Sequence, residues 1–209
     1  MVISFDIGNT LLKLKDSKGF CSYFCDVTGL NMDYLRPLFF EHFLTKNNAL
    51  EYAVAEVCRI VNYKQVDEIV NGYIPPNVDA YHDAISTLRS LSERGFSLIA
   101  VSNCTPWEAY GLNETGLKKY INKVYYSHLL GVAKPDIKVF QYVQNDIGVP
   151  AEHIMHVGDS LEADVIGASA AGWSSILLDR NSKSSFREND GHCVINSLSS
   201  LVNLFTELF

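Results

Sequence analysis

His156-Val157-Gly158-Asp159-Ser160-Leu161-Glu162-Ala163-Asp164, continued by Gly167-Ala168-Ser169-Ala170-Ala171-Gly172-Trp173, is the most specific stretch of the chain. Ile154 to Val157, with His156 inside it, reads as a buried strand, and two carboxylates, Asp159 and Asp164, follow it five residues apart. Small residues in the next helix let that helix pack close to a sheet. A carboxylate placed just past a buried strand points into a crevice. Hard carboxylate oxygens with open positions suit magnesium, which keeps several waters and takes only one or two protein carboxylates.

Three further strand ends carry polar groups of the same kind. The strand Val2 to Phe5 stops at Asp6, followed by Ile7-Gly8-Asn9-Thr10. A carboxylate there reads as a nucleophile, a metal ligand or a turn former. The strand Ser97 to Val101 ends at Ser102-Asn103, a hydroxyl and an amide that can bind phosphate oxygens or cap a loop. Gly131-Val132-Ala133-Lys134-Pro135-Asp136 holds a lysine before a proline at the start of a helix, Asp136 to Asp146. Lys134 can neutralise a phosphate or a developing charge there, or stay an ordinary solvated lysine.

The remaining segments alternate. Strands are expected at Lys123 to Tyr126, Ser175 to Leu178 and Cys193 to Ile195, with a final helix from about Ser197. A helix with Ile85, Leu88 and Leu91 on one face stops near Gly95. Thr105-Pro106-Trp107-Glu108 reads as a capping box with proline at the first helical position. Strands alternating with helices predict an α/β fold, a parallel sheet with helices on both faces. Ligands of such sheets sit at the carboxyl ends of the strands.

One stretch breaks the alternation. From about Lys13 to Ile74 the chain reads as mostly helical, with Tyr34, Leu35, Leu38, Phe39 and Phe43 at helical spacing. Asp16-Ser17-Lys18-Gly19 borders it on one side and Gly72-Tyr73-Ile74-Pro75-Pro76 on the other. Residues 1–13 and 76–209 are therefore expected to form the core, and residues 14–75 a helical cap inserted in it.

Composition narrows the partners. A chain of 209 residues buries roughly 70% of its unfolded surface without disulfides or a structural metal. Its 17 Lys and Arg against 24 Asp and Glu give a net charge of -7, which argues against nucleic acid as a main partner. No uncharged run is long enough to span a bilayer, and the first ten residues lack a basic region, so a cytoplasmic protein without membrane contact is expected. Cys21, Cys25, Cys58, Cys104 and Cys193 show no repeated spacing and read as reduced thiols.

In this order, the four strand ends resemble the haloacid dehalogenase superfamily of phosphohydrolases, from Val2 to about Asp179, with one gap where that family inserts its cap. The resemblance implies a Rossmann-like core. It implies that Asp6 attacks phosphorus and forms an aspartyl-phosphate that water hydrolyses. Mg2+ would bind Asp6, the Gly8 carbonyl and Asp159, with Asp164 as a ligand or an outer orienter. Lys134 would lower the repulsion between the anions. Ser102 and the amide of Asn103 would meet phosphoryl oxygens, and Thr10 would steady the loop beside them. The implied substrate is a small phosphorylated metabolite, taken by a monomer or homodimer.

Gly8 departs from the pattern, because most of these phosphatases place a second Asp there as acid and base. Such a group contributes about 10²- to 10⁴-fold. Three readings follow: a cap residue (Glu41, His42 or Glu51) stands in for it, the leaving group needs no acid, or the protein binds without efficient turnover. The dehalogenases of the family act without metal, and Asp159 with Asp164 argues against that branch. The phosphonate-cleaving branch uses a cap lysine, for which Lys46 and Lys64 are the candidates. His156 reads as a packed structural histidine and His128 as a solvated one. The cap aromatics read as core, and Arg36 and Arg59 as exposed.

Overall fold

Val2, Ile3, Ser4 and Phe5 are all buried, because their strand has neighbours on both edges and helices on both faces. The computed structural model describes residues 1–15, 18–183, 186–189 and 192–208. The strands are β1 (Val2–Phe5), β2 (Leu12–Leu14), β3 (Val78–Ala80), β4 (Ser97–Ser102), β5 (Lys123–Tyr126), β6 (Ile154–Gly158), β7 (Ser174–Leu178), β8 (Phe186–Asn189) and β9 (His192–Ile195). The helices are α1 (Phe20–Thr28), α2 (Met32–Leu38), α3 (Leu50–Ile60), α4 (Val66–Gly72), α5 (His82–Glu93), α6 (Gly111–Glu114), α7 (Ser127–Leu130), α8 (Ile137–Ile147), α9 (Gly167–Ala170) and α10 (Leu198–Leu208). The sheet order is β5-β4-β1-β6-β7-β9-β8, parallel throughout except for β8 at the edge.

Alternation along the central strands sorts the core into two layers. Ile3, Phe5, Leu98 and Ala100 face a cluster with Leu88, Leu91, Leu198 and Leu201. Val2, Ile99 and Val101 face the opposite cluster, with Val139, Phe140 and Trp173. The face of α5 is Ala84, Thr87, Leu88 and Leu91, while Ile85 is 41% exposed, contrary to the expected stripe. Among the described residues, no helix is long and apolar enough to cross a membrane.

The segment from α1 to α4 builds a third cluster of its own around Phe20, Phe24, Phe39 and Phe43. These rings pack edge to face or tilted, with centroids 5.0 to 6.0 Å apart. Tyr34, expected on the same face, is 59% exposed. A two-stranded ribbon lies at the base of the segment, with Leu12 opposite Ala80 and Leu14 opposite Val78. Of the expected hinge residues, Asp16 and Ser17 lie outside the described residues.

The expected capping box takes another form. Thr105 Oγ1 donates to Glu108 Oε2 at 2.8 Å rather than accepting from a backbone amide. Glu108 Oε1 accepts from the Phe20 amide at 2.9 Å and from the Tyr73 hydroxyl at 2.7 Å. The residue before α1 is Gly19, which has no side chain to cap the helix, so a carboxylate from across the interface satisfies its first amide.

Candidate active site

The strand order flanks β1 with β4 on one edge and β6 on the other. Asp6 follows β1, its amide donating to Val157 O at 2.9 Å. Ser102-Asn103 and Gly158-Asp159 end the neighbouring strands, so the carboxyl ends of three adjacent strands meet where the chain reverses direction across the sheet.

Lys134 ties them together. Its Nζ donates to Asp6 Oδ1 at 2.8 Å, to Val101 O at 2.8 Å and to Asp164 Oδ1 at 2.5 Å. All three ammonium donors are thereby used. The residue is 2% exposed, which sets aside the solvated alternative. The two carboxylates hold its ammonium charged against the opposing effect of burial. The Asn103 side chain grips the lysine's backbone: Nδ2 donates to Lys134 O and Lys134 N donates to Oδ1, both at 2.8 Å. That amide therefore positions the lysine. No sequence pattern links the two residues, which lie 31 positions apart.

Asp164 sits on a widened helical turn, Leu161–Ile166, capped by Ser160. Its Oδ1 meets Lys134 and His156 Nε2, the latter at 3.1 Å, and its Oδ2 accepts from the Ser160 amide at 3.0 Å. Burial opposes ionisation of Asp164, but Lys134 and His156 outweigh it and hold the carboxyl below the usual range. Both Asp164 oxygens are therefore engaged, and the carboxylate helps to hold the lysine in place. His156 Nδ1 lies 2.8 Å from Ser4 Oγ, and burial lowers the pKa of the ring against the opposing hydrogen bond to Asp164. The histidine is packed, as its place in a strand implies, but it also fixes Asp164. Gly158 gives Asp164 its room: a Cβ there would lie 2.2 Å from Asp164 Cγ.

Asp6, Asp159 and Asp164 each place an oxygen within 4.8 Å of the others. Burial pushes the Asp6 carboxyl up to about 7 against the pull of Lys134, and Asp164 and Asp159 add to the push. Asp159 is also raised by burial and by Asp164, with the Asn9 side chain opposing. Lys134 thus pairs with Asp6 and Asp164 and leaves Asp159 without an ammonium of its own, so the cluster has room in its charge for a second cation. Gly8 is exposed, and its carbonyl accepts from the Thr10 amide at 2.6 Å. Thr10 is fully buried, and its hydroxyl makes no hydrogen bond among the described residues.

Arg180, which sequence reasoning missed, holds this loop from β7's side. Its Nη2 donates to Thr10 O at 2.7 Å and its Nε to Asn9 O at 3.3 Å. The guanidinium also forks onto buried Asp83 at 3.0 and 3.2 Å and stacks over Tyr81. Burial resists ionisation of Asp83, but Arg180 and the Leu198 amide hold the carboxyl low. Arg180→Met is expected to cost on the order of 3 kcal/mol by stranding that carboxylate, which equilibrium urea unfolding measures.

A cavity of about 370 Å³ opens beside the cluster, bounded by Gly8, Asn9, Ser102 and Asn103 at one end and by Phe20, Cys21, Ser22 and Leu44 at the other. None of Glu41, His42, Glu51, Lys46 or Lys64 lines it. Glu41, Glu51, Lys64 and Arg59 face solvent, Arg36 is exposed beside Asp33, and His42 and Lys46 lie against Glu56. His128, expected to be solvated, is 6% exposed, with Nδ1 2.8 Å from Cys104 O and its ring stacked on Tyr126.

An uncharacterised protein of Saccharomyces cerevisiae is 38% identical over 125 residues, covering 52% of this chain and 41% of its own length. The glyceraldehyde 3-phosphate phosphatase of Methanopyrus kandleri is 36% identical over 103 residues, 48% of this chain and 43% of that protein. The chain thus spans less than half the length of these relatives. A HAD phosphatase from Thermococcus onnurineus superposes with a TM-score of 0.64 at 24% identity over 98% of this chain and 97% of that one. A 2-haloacid dehalogenase from Pseudomonas syringae pv. Tomato gives 0.66 at 19% identity over the full length of both, so this likeness speaks to the fold. The model of the haloacid dehalogenase-like hydrolases matches residues 1–172, which contain Asp6, Lys134, Asp159 and Asp164, and the chain belongs to that family.

Proposed function

We propose that this protein is a magnesium-dependent phosphomonoester hydrolase. The observation that carries the reading is Lys134 Nζ held between Asp6 and Asp164, with Asp159 beside them at the strand ends. An Asp6 oxygen attacks phosphorus in line, and the bond to the ester oxygen breaks. Water then attacks the aspartyl-phosphate, releasing inorganic phosphate and restoring the carboxylate. Lys134 offsets charge where two anions meet, while Asn103 and Asp164 hold it in place. Ser102 and the backbone amide of Asn103 receive phosphoryl oxygens. Asp6, Asp159 and the Gly8 carbonyl would hold Mg2+, which supplies positive charge to the phosphoryl oxygens when bound. Residues 14–75 act as the cap, with the cavity between cap and core taking the rest of the substrate. The phosphatase names among the relatives support this reading.

Phosphate release from a broad set of monoesters, with and without magnesium, tests it. Magnesium-dependent release is expected, and Asp6→Asn should abolish it. Saturating magnesium should also raise the melting temperature, by roughly 5–11 °C at 100 times Kd. Asp159→Asn should erase that shift. Gly8 favours slow turnover as a second reading, because glycine cannot move a proton. A Cβ at Gly8 has nothing within 4 Å, so Gly8→Asp fits and should raise kcat. If neither form releases phosphate from any ester, the binding reading replaces the catalytic one.

A further inference from the structure

The cavity walls narrow the substrate class. Beyond Asn9 and Ser102 the lining is largely apolar, with Ile7, Leu12, Phe20, Leu44, Val78 and Leu112 facing the space. The polar groups among them are mostly occupied. Glu108 is the one carboxylate of the lining among the described residues, and its oxygens accept from the Phe20 amide, the Tyr73 hydroxyl and the Thr105 hydroxyl. The Tyr110 hydroxyl donates to Pro76 O, and that of Tyr126 to Ala109 O. Burial pushes the Cys21 thiol up to about 12 and raises Cys104, so both remain uncharged. Among the described residues the lining contains no histidine or arginine, and its one cation, Lys13, leans over Tyr81 with Nζ 5.8 Å from the ring centroid.

Two consequences follow from elementary chemistry. A sugar or nucleoside would find few partners here, Ser22 and Lys13 chief among them, and each polar group left unpaired weakens binding. An apolar ring fits, since the volume lies within the range of about 300–1,000 Å³ typical of ligand pockets. The walls also present no free carboxylate or imidazole to protonate a departing oxygen, and Gly8 has no side chain. An alkoxide leaves poorly without an acid, whereas a phenolate is a far weaker base and leaves unaided.

We propose that the cavity takes the phosphate monoester of an apolar phenol, whose oxygen departs as the phenolate. The inference rests on the phosphohydrolase reading above. Asp6 oxygen forms the bond to phosphorus as the phosphorus–aryl oxygen bond breaks, and the electron pair stays on the phenolate, which takes its proton from water.

The test is kcat/KM with magnesium for substituted phenyl phosphates, 2-naphthyl phosphate, glycerol phosphate and a nucleoside monophosphate. The expected result is a rate that climbs steeply as the phenol becomes more acidic, with aryl esters about 100-fold or more above glycerol phosphate. Gly8→Asp should flatten that dependence and raise the alkyl ester by about 10- to 1,000-fold, since a positioned acid acts most on the poorest leaving group. Leu44→Trp narrows the cavity from the cap side and should raise KM for naphthyl phosphate several-fold while leaving the inhibition constant of inorganic phosphate unmoved. A flat leaving-group dependence, a sugar or nucleotide ester preferred over phenyl phosphate, or an unchanged naphthyl KM in Leu44→Trp overturns the phenol assignment and leaves the phosphatase standing. No release from any ester, by wild type or by Gly8→Asp, overturns the phosphatase itself.

Discussion

Lys134→Met should lose phosphatase activity and unfold about 6–20 °C below the wild type. The methionine keeps the stem's bulk but leaves Asp6 and Asp164 without their ammonium and Val101 O without its donor. Removing one partner of a buried ion pair costs about 3–5 kcal/mol, because the remaining charge stays desolvated. For a chain of 209 residues each kcal/mol moves the melting temperature by roughly 2–4 °C. The pH dependence has a definite sign. In the wild type Asp164 is held low, so its contribution is present above the unfolded carboxyl range and is lost on acidification. Without Lys134 burial dominates and the folded carboxyls titrate above their unfolded values, so the variant's deficit should shrink as pH falls. Calorimetry between pH 5 and 8 checks it, and a pH-independent deficit would mean that lost packing, not charge, is responsible.

Gly158→Ala should be nearly as damaging, although it adds one methyl group. The new Cβ would lie 2.2 Å from Asp164 Cγ and Oδ2. Asp164 cannot yield cheaply, because Lys134, His156 and the Ser160 amide hold both its oxygens. Either the turn or the carboxylate must shift, at a cost of about 3 kcal/mol or more once overpacking and the weakened ion pair are combined. Activity should fall at least 100-fold, since Lys134 loses its second anchor. Gly8→Ala is the control, because a Cβ there meets nothing within 4 Å. Its stability should stay within about 0.5 kcal/mol of wild type. Equal loss in both variants, measured by thermal unfolding and phosphate release, would point to glycine flexibility rather than the space beside Asp164.

These effects fall on residues that differ in how plainly the sequence announces them. Val2–Phe5 and Ile154–Gly158 are mainly apolar runs, each interrupted by one polar residue, Ser4 and His156, and they are legible because a strand covered on both faces has no polar side. Asp6, Asp159 and Lys134 are each ambiguous alone and stand out only because the motifs that hold them follow one another in order along the chain. The supporting contacts were not legible. Asn103 turns its side chain onto the backbone of a residue far along the chain, Arg180 reaches back to Asn9 and Thr10, and Glu108 caps a helix in another part of the sequence. Each is a pairing across the fold that local spacing does not encode. The ribbon strands Leu12–Leu14 and Val78–Ala80 were missed for another reason: three residues with a charge in the middle resemble a turn.

Glu108 also sets how the site can be entered. It lies six residues beyond Ser102 on the same strand-end connection and is bonded to the first turn of α1 and to Tyr73 just past α4. Both ends of the helical segment are therefore latched to one carboxylate, and that carboxylate belongs to the connection that follows Ser102-Asn103. Displacing the segment means breaking both of those bonds. Movement of the Ser102–Glu108 connection as a ligand arrives or departs would be transmitted directly to that latch.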